Sequence, residues 1–249
     1  KRTREDVGEQ LRKIDIITNY VPCDLLKEQE RKINEIKQEI AIKKKLYNNE
    51  NYILEYFQKI RLVLDDANYD DPNKPMISSK TDKLIELISK NIGSKIIVFT
   101  SYKMILDKLL IFLQSKGIKA IKVSSDMSKE ERNEKIKEYK TSKDTNVLIS
   151  SDILAYGINL ETSTVMIHYD LPLLGGKLKQ RIYRMVRATS QTSVVYNYIL
   201  TTNTQFDTHV KEILLRKIAY AEAVTKETSS VESLGFTKKD ILSVMKKVL

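Results

Sequence analysis

KIIVFTSYKMILDKLLIFLQSKGIKAIKV, residues 95–123, reads as a strand, a helix and a second strand. KIIVFT (95–100) is short, apolar and rich in β-branched residues, as a parallel strand buried on both faces should be. The helix runs to about Lys116, where Gly117 stops it, and GIKAIKV carries the next strand. The same alternation continues outward. Upstream, SKTDKLIELISKNI (79–92) is a helix with Ser79 as its N-cap. Downstream, residues 128–140 are helical, with Ser128 and Glu131 spaced as a capping box. NVLIS (146–150) and TVMIHYD (164–170) are strands, residues 176–188 a helix, SVVYNYIL (193–200) a strand, and about Phe206 to Ala223 a long helix. Alternation of this kind specifies an α/β fold, an open and mostly parallel sheet with helices on both faces. Ligands in such folds sit at the carboxyl ends of the strands.

The flanks have a different texture. LLKEQERKINEIKQEIAIKKKLYN (25–48) sets Leu26, Ile33, Ile36, Ile40 and Ile42 near helical spacing, and a second helix runs from Tyr52 to about Leu64. DDANYDDPNKPM (65–76), an acidic loop with Pro72 and Pro75, ends this helical region. Lys43, Lys44 and Lys45 read as a solvated helix face. KETSSVESLGFTKKDILSVMKKVL (226–249) reads as a polar linker and a final short helix.

Composition narrows the function classes. A chain of 249 residues with 41% hydrophobic residues is globular and large enough for a sizeable core. Forty-three Lys and Arg against 33 Asp and Glu give a net charge of +10, which attracts polyanions. Cys23 is the single cysteine, which excludes an intrachain disulfide and a multi-cysteine zinc site. His168 and His209 are the only histidines, so neither a metal site nor a catalytic triad is expected; His168 reads as a packed or edge strand residue. No apolar run approaches the roughly 20 residues that span a bilayer. KRTREDVGEQ at the start has no apolar stretch behind its charges. The expectation is an intracellular protein without a membrane partner, cytoplasmic in a prokaryote or virus and nuclear in a eukaryote.

The chemistry should follow the strands. After KIIVFT come Thr100, Ser101 and Tyr102; after NVLIS come Ser151, Asp152 and the GINL segment, Gly157 to Leu160. After TVMIHYD comes DLPLLGGKLKQRIYRMVR (170–187). There Gln180, Arg184 and Arg187 stand at i, i+4 and i+7, on one face of a helix. Two arginines one turn apart form a cationic fork suited to phosphate oxygens, and Gln180 can orient a base, a water or the fork. Equally, the three residues can be a basic surface on a helix.

In these segments the chain resembles the Snf-type branch of superfamily-two helicases, over almost its whole length. YDLPLLGGKLKQRIYRMVR (169–187) is similar to that family's last helicase motif, VLISSDILAYGINL (147–160) to the motif before it, and KIIVFTSY (95–102) to its fourth motif. SSKTDKLIEL (78–87) resembles the opening of the second lobe, and KRTREDVGEQL (1–11) the basic segment leaving the first. Tyr183, Val186, Leu173 and the Ser124–Ser125–Asp126 loop depart from the usual pattern. The resemblance implies a RecA-like second lobe over 76–226, an inter-lobe segment with a helical protrusion over 1–75, and a linker with a terminal helix over 227–249. It implies that Arg184 and Arg187 are arginine fingers on the γ-phosphate of ATP. Gly157, Asn159 and Gln180 would approach the same nucleotide, and Thr100, Ser101, Ser150 and Ser151 would contact the phosphate backbone of double-stranded DNA. ATP and Mg would be held mainly by a first RecA-like lobe, the partner of this one.

No GxxxxGK[ST] phosphate loop occurs, since GGKLK (175–179) is too short and lacks the Ser or Thr, and no Asp-Glu pair follows a hydrophobic strand. Phosphoryl transfer needs cradle, metal and fingers together, so the chain alone is expected to turn over no ATP. Two alternatives remain beside the DNA translocase: a non-catalytic binding module that keeps the fold, and a lobe that acts on RNA or unwinds strands.

Overall fold

The computed structural model describes residues 14–46, 52–152, 160–186, 192–225 and 235–249. Strand β1 (Asp15–Cys23) comes first, then helices α1 (Lys27–Leu46), α2 (Tyr52–Asp65) and α3 (Ser79–Lys90). The alternating part follows: β2 (Ile96–Phe99), α4 (Lys103–Ser115), β3 (Ala120–Val123), α5 (Lys129–Thr141), β4 (Val147–Ser150) and β5 (Val165–His168). Helix α6 (Gly175–Tyr183), β6 (Val194–Thr202), α7 (Gln205–Thr225) and α8 (Lys238–Val248) complete the order. The strands form one sheet in the order β1-β6-β5-β2-β4-β3, every pair parallel.

Alternate side chains of each strand leave opposite faces of the sheet. Ile96 and Val98 of β2, Val147 and Ile149 of β4, and Val165 and Ile167 of β5 pack with Leu84, Leu87 and Ile88 of α3 and with Ile105, Leu106 and Leu109 of α4. Ile97, Phe99, Leu148 and Met166 face the other way, against Ile136 and Tyr139 of α5 and against Met185. Burial on both faces explains why β2, β4 and β5 are apolar apart from Ser150 and His168 at their carboxyl ends.

Local signals set the helix ends. Ser128 and Glu131 form the capping box at the start of α5. Gly117 follows α4 at φ 74°, a conformation that only glycine takes without strain. Helix α3 is capped by Ser78, one residue before the expected Ser79, because the Ser78 side chain accepts from the Lys80 N–H.

Three features depart from the sequence reading. First, β1 is a parallel edge strand paired with β6 along its whole length, Asp15 opposite Val194 and Cys23 opposite Thr202. Pro22 and exposed Ile16 and Ile17 disguise it, and proline is tolerated at a sheet edge. Second, the packing does not divide at residue 75. Ile33, Ile36 and Ile40 of α1 and Phe57, Ile60 and Leu64 of α2 share one core with Phe206, Val210 and Leu214 of α7 and Val244 and Met245 of α8. Third, α6 stops at Tyr183 instead of continuing to 188. Met185 and Val186 are both buried, so the chain must turn inward there, and the Arg184 carbonyl accepts from the Leu160 N–H at 3.1 Å.

The acidic loop after α2 is partly interior. Asp65 meets Lys80, and Asp66 meets Lys108, each at 2.7 Å and nearly excluded from solvent. Gln29 of α1 donates to the Val63 and Leu64 carbonyls at 3.0 Å and accepts from the Ser79 N–H. These bonds fix the helical segment onto α3.

Candidate nucleotide and nucleic-acid site at the strand ends

The carboxyl ends of β2, β4 and β5 gather two carboxylates, one buried and one half-buried, each held by cationic side chains. The first is Asp170, just beyond β5 and 3% exposed. It accepts from the Thr100 hydroxyl at 2.7 Å, from the Ser101 N–H at 2.6 Å, and from the Ser101 hydroxyl. Arg61 reaches in from α2, 3.7 Å from the same carboxylate, and donates to the Leu171 carbonyl at 2.7 Å. Its guanidinium lies over the Tyr102 ring, 5.1 Å from the centroid. Burial pushes the Asp170 carboxyl up, but Arg61, Arg181 and the Ser101 bonds outweigh it and hold the group below its usual range, so it is ionised at neutral pH.

The second carboxylate is Asp152, just beyond β4. Arg181 Nε donates to its Oδ1 at 2.7 Å, and Lys177 Nζ to its Oδ2 at 2.8 Å. Both cations come from α6, one turn apart. Arg181 is fully buried, lies 4.9 Å over the Phe99 ring, and donates from Nη1 to His168 Nδ1 at 3.1 Å. On its other side, His168 Nε2 lies 2.8 Å from Asn197 Oδ1, and Asn197 Nδ2 donates to the Thr18 hydroxyl of β1 at 3.2 Å.

The residues singled out from sequence fall as follows. Ser101 and Ser151 are half-buried at adjacent strand ends. Thr100 and Ser150 are fully buried with inward hydroxyls: Thr100 bonds Asp170, and Ser150 bonds the carbonyls of Val123 and Ser151. Neither presents a hydroxyl to the surface. Gln180 lies in the last turn of α6, and its buried Oε1 accepts no hydrogen bond among the described residues. Arg184 is half-buried at the C-cap of α6, in the turn after the helix. Arg187, Gly157 and Asn159 lie outside the described residues. Because α6 ends at Tyr183, the helix face expected to carry Gln180 and Arg184 stops before Arg184.

Sequence reading missed Arg61 and Arg181. Arg61 looked like one more charge on an amphipathic helix, 109 residues from Asp170 (170 − 61). Arg181 stood between two residues already chosen, and no local signal separates a buried arginine from an exposed one. The continuous apolar run Val165–Met166–Ile167 leading into His168 was the visible hint of an interior polar group.

The comparisons with known proteins agree with this architecture. Residues 79–189 match the family described as the helicase conserved C-terminal domain. An ATP-dependent RNA helicase dbp2 of Aspergillus oryzae is 31% identical over 119 residues, covering 47% of this chain and 21% of that protein. An uncharacterized ATP-dependent helicase YqhH of Bacillus subtilis is 32% identical over 162 residues, covering 65% of this chain and 28% of that protein. The chain thus spans less than a third of the length of these relatives. In fold, it is similar to the C-terminal part of the Fun30 ATPase domain, with a TM-score of 0.72 at 16% identity over 94% of this chain and 96% of that one. It is also similar to the Sulfolobus solfataricus SWI2/SNF2 ATPase core in complex with dsDNA, with a TM-score of 0.71 at 19% identity over 89% of this chain and 51% of that one.

Proposed function

We propose that the chain is the carboxyl-terminal RecA-like lobe of a Snf-type superfamily-two protein, and that this lobe serves an ATP-driven translocase on duplex DNA. One observation carries the reading. The end of α6 and the end of the GINL segment meet through the Leu160 N–H and the Arg184 carbonyl, near the amino end of β5. That junction ties Arg184 to the segment that the proposal sets against a nucleotide held by a first lobe. Arg184 and Arg187 then act as fingers on the γ-phosphate, and Gln180, Gly157 and Asn159 line the same nucleotide. ATP and Mg are held mainly by the first lobe, which supplies the phosphate cradle and the metal ligands. Ser101 and Ser151 face one DNA strand, while Thr100 and Ser150 support them from behind. Phosphate contacts of this type position a strand without reading its sequence.

A second reading has its own support: the A. oryzae relative is named an RNA helicase. Duplex DNA, single-stranded RNA and duplex RNA, compared as stimulators of ATP turnover in the two-lobed protein, decide between them. Duplex DNA should stimulate most. Arg184→Ala or Arg187→Ala should lower stimulated turnover by about a thousandfold, as loss of an arginine finger does elsewhere. Turnover near wild type in both variants would leave the arginines as surface charge. Stimulation by RNA alone would transfer the lobe to the RNA reading.

A further inference from the structure

We infer that Arg181 is a positioning residue, which fixes Asp152 and Arg184 relative to one another and so aligns the two segments that approach the nucleotide. This rests on the proposed function above and names a residue which that reading does not use.

Helix α6 grips both ends of the segment between residues 152 and 160. At the near end, Arg181 and Lys177 each bind one oxygen of Asp152, at 2.7 and 2.8 Å. At the far end, the Leu160 N–H donates to the carbonyl of Arg184, three residues beyond Arg181. A shift of α6 along its axis therefore displaces both ends of this segment together with Arg184.

Arg181 in turn has one available orientation. Its guanidinium lies on the Phe99 ring, itself stacked on His168 at 6.0 Å between centroids. Nε serves Asp152, and Nη1 serves His168 Nδ1. The direction of donation is then forced along the row. His168 Nδ1 accepts, so the ring hydrogen sits on Nε2 and points to Asn197 Oδ1; Asn197 Nδ2 donates onward to Thr18. Donors follow acceptors without conflict from α6 through β5 and β6 to β1. A lysine carries its charge at a single point and cannot lie flat on Phe99 while serving both Asp152 and His168.

Stability alone does not explain such an arrangement. Buried ion pairs are often no more stabilising than apolar side chains of equal volume, and what they best supply is a fixed register. Here the register fixed is that of Arg184.

The test compares Arg181→Lys, Asp152→Asn and Arg184→Ala in the two-lobed protein. DNA-stimulated kcat, KM for ATP, nucleotide-free DNA affinity and melting temperature are read for each. Arg181→Lys is expected to stay folded at the assay temperature, to bind DNA within about twofold of wild type, and to lose at least about tenfold in kcat. Asp152→Asn should show the same split, since it removes the other half of the grip. A folded Arg181→Lys protein with wild-type kcat overturns the inference. So does collapse of the fold in both variants, which would make Arg181 structural only. Full activity in Arg184→Ala would sink the finger role and the alignment of Arg184 together; loss of kcat in Arg184→Ala with wild-type kcat in Arg181→Lys would sink the inference alone and leave the proposed function standing.

Discussion

At the scale of single residues, His168 shows how an interior changes a side chain. Burial first, and the Arg181 guanidinium second, push its pKa from 6.5 down to about 3, against a smaller upward pull from Asn197 and Asp170. The imidazole is therefore neutral with its hydrogen on Nε2, and ¹⁵N chemical shifts of the ring should report that one tautomer from pH 8 down to about 4. Protonation near pH 6.5 would refute the hydrogen-bond row. The sign for stability follows. Between about 6.5 and 3 the unfolded chain binds a proton that the folded chain refuses, so the contribution of His168 is complete above 6.5 and is lost as pH falls toward 3. Asp65 opposes it. Burial raises its carboxyl to about 7 against the pull of Lys80, so its contribution is greatest below 3.8 and is lost as pH rises through 7. A melting curve against pH sums both effects, and the ring nitrogens isolate one.

At the scale of elements, α8 belongs to the lobe. Val244 and Met245 are fully buried against the α2 and α7 core. Lys217 of α7 meets Asp240 of α8 at 2.9 Å. Just before α8, the Phe236 N–H donates to the Leu173 carbonyl, and Gly235 bridges Leu174, so the terminal segment supports the residues that lead into α6. Close packing continues along α6: a Cβ on Gly175 would stand 2.7 Å from Ile218 of α7. Met245→Ala should lower unfolding free energy by about 2–5 kcal/mol, measured by urea denaturation, as large-to-small changes in a packed core do. An effect below about 0.5 kcal/mol would return α8 to the status of a tail.

At the scale of the whole molecule, the +10 charge favours a polyanion through its phosphates, a contact that carries no base-sequence information. The chain alone should bind duplex DNA weakly, with an affinity that falls steeply as salt rises and stays level across base sequences. Fluorescence anisotropy over a salt series with two unrelated duplexes measures both. Strong sequence preference at fixed salt, or indifference to salt, would remove the electrostatic argument. The Lys-rich surface supplies long-range attraction, but much of it is already paired, as in Lys103 with Asp126 and Lys83 with Glu86. Such exposed pairs are worth little in stability and yield readily to a polyanion.

Local chemistry was enough to specify β2, β4 and β5, whose apolar runs break only at their carboxyl ends, and α5, whose capping box needs only residues 128 and 131. The amphipathic spacing of α1 and α2 was legible for the same reason. Tertiary structure alone decided the rest. Strand β1 carries no burial pattern of its own, because an edge strand is half solvated; β6 recruits it from 179 residues away (194 − 15). The end of α6 depends on where Met185 and Val186 find a core. Arg181 and Arg61 look like ordinary surface charges until the sheet stacks Asp152, His168 and Asp170 beside them. Sequence periodicity encodes which side of an element is buried, whereas a buried charge is fixed by partners that only the assembled sheet brings within 3–4 Å.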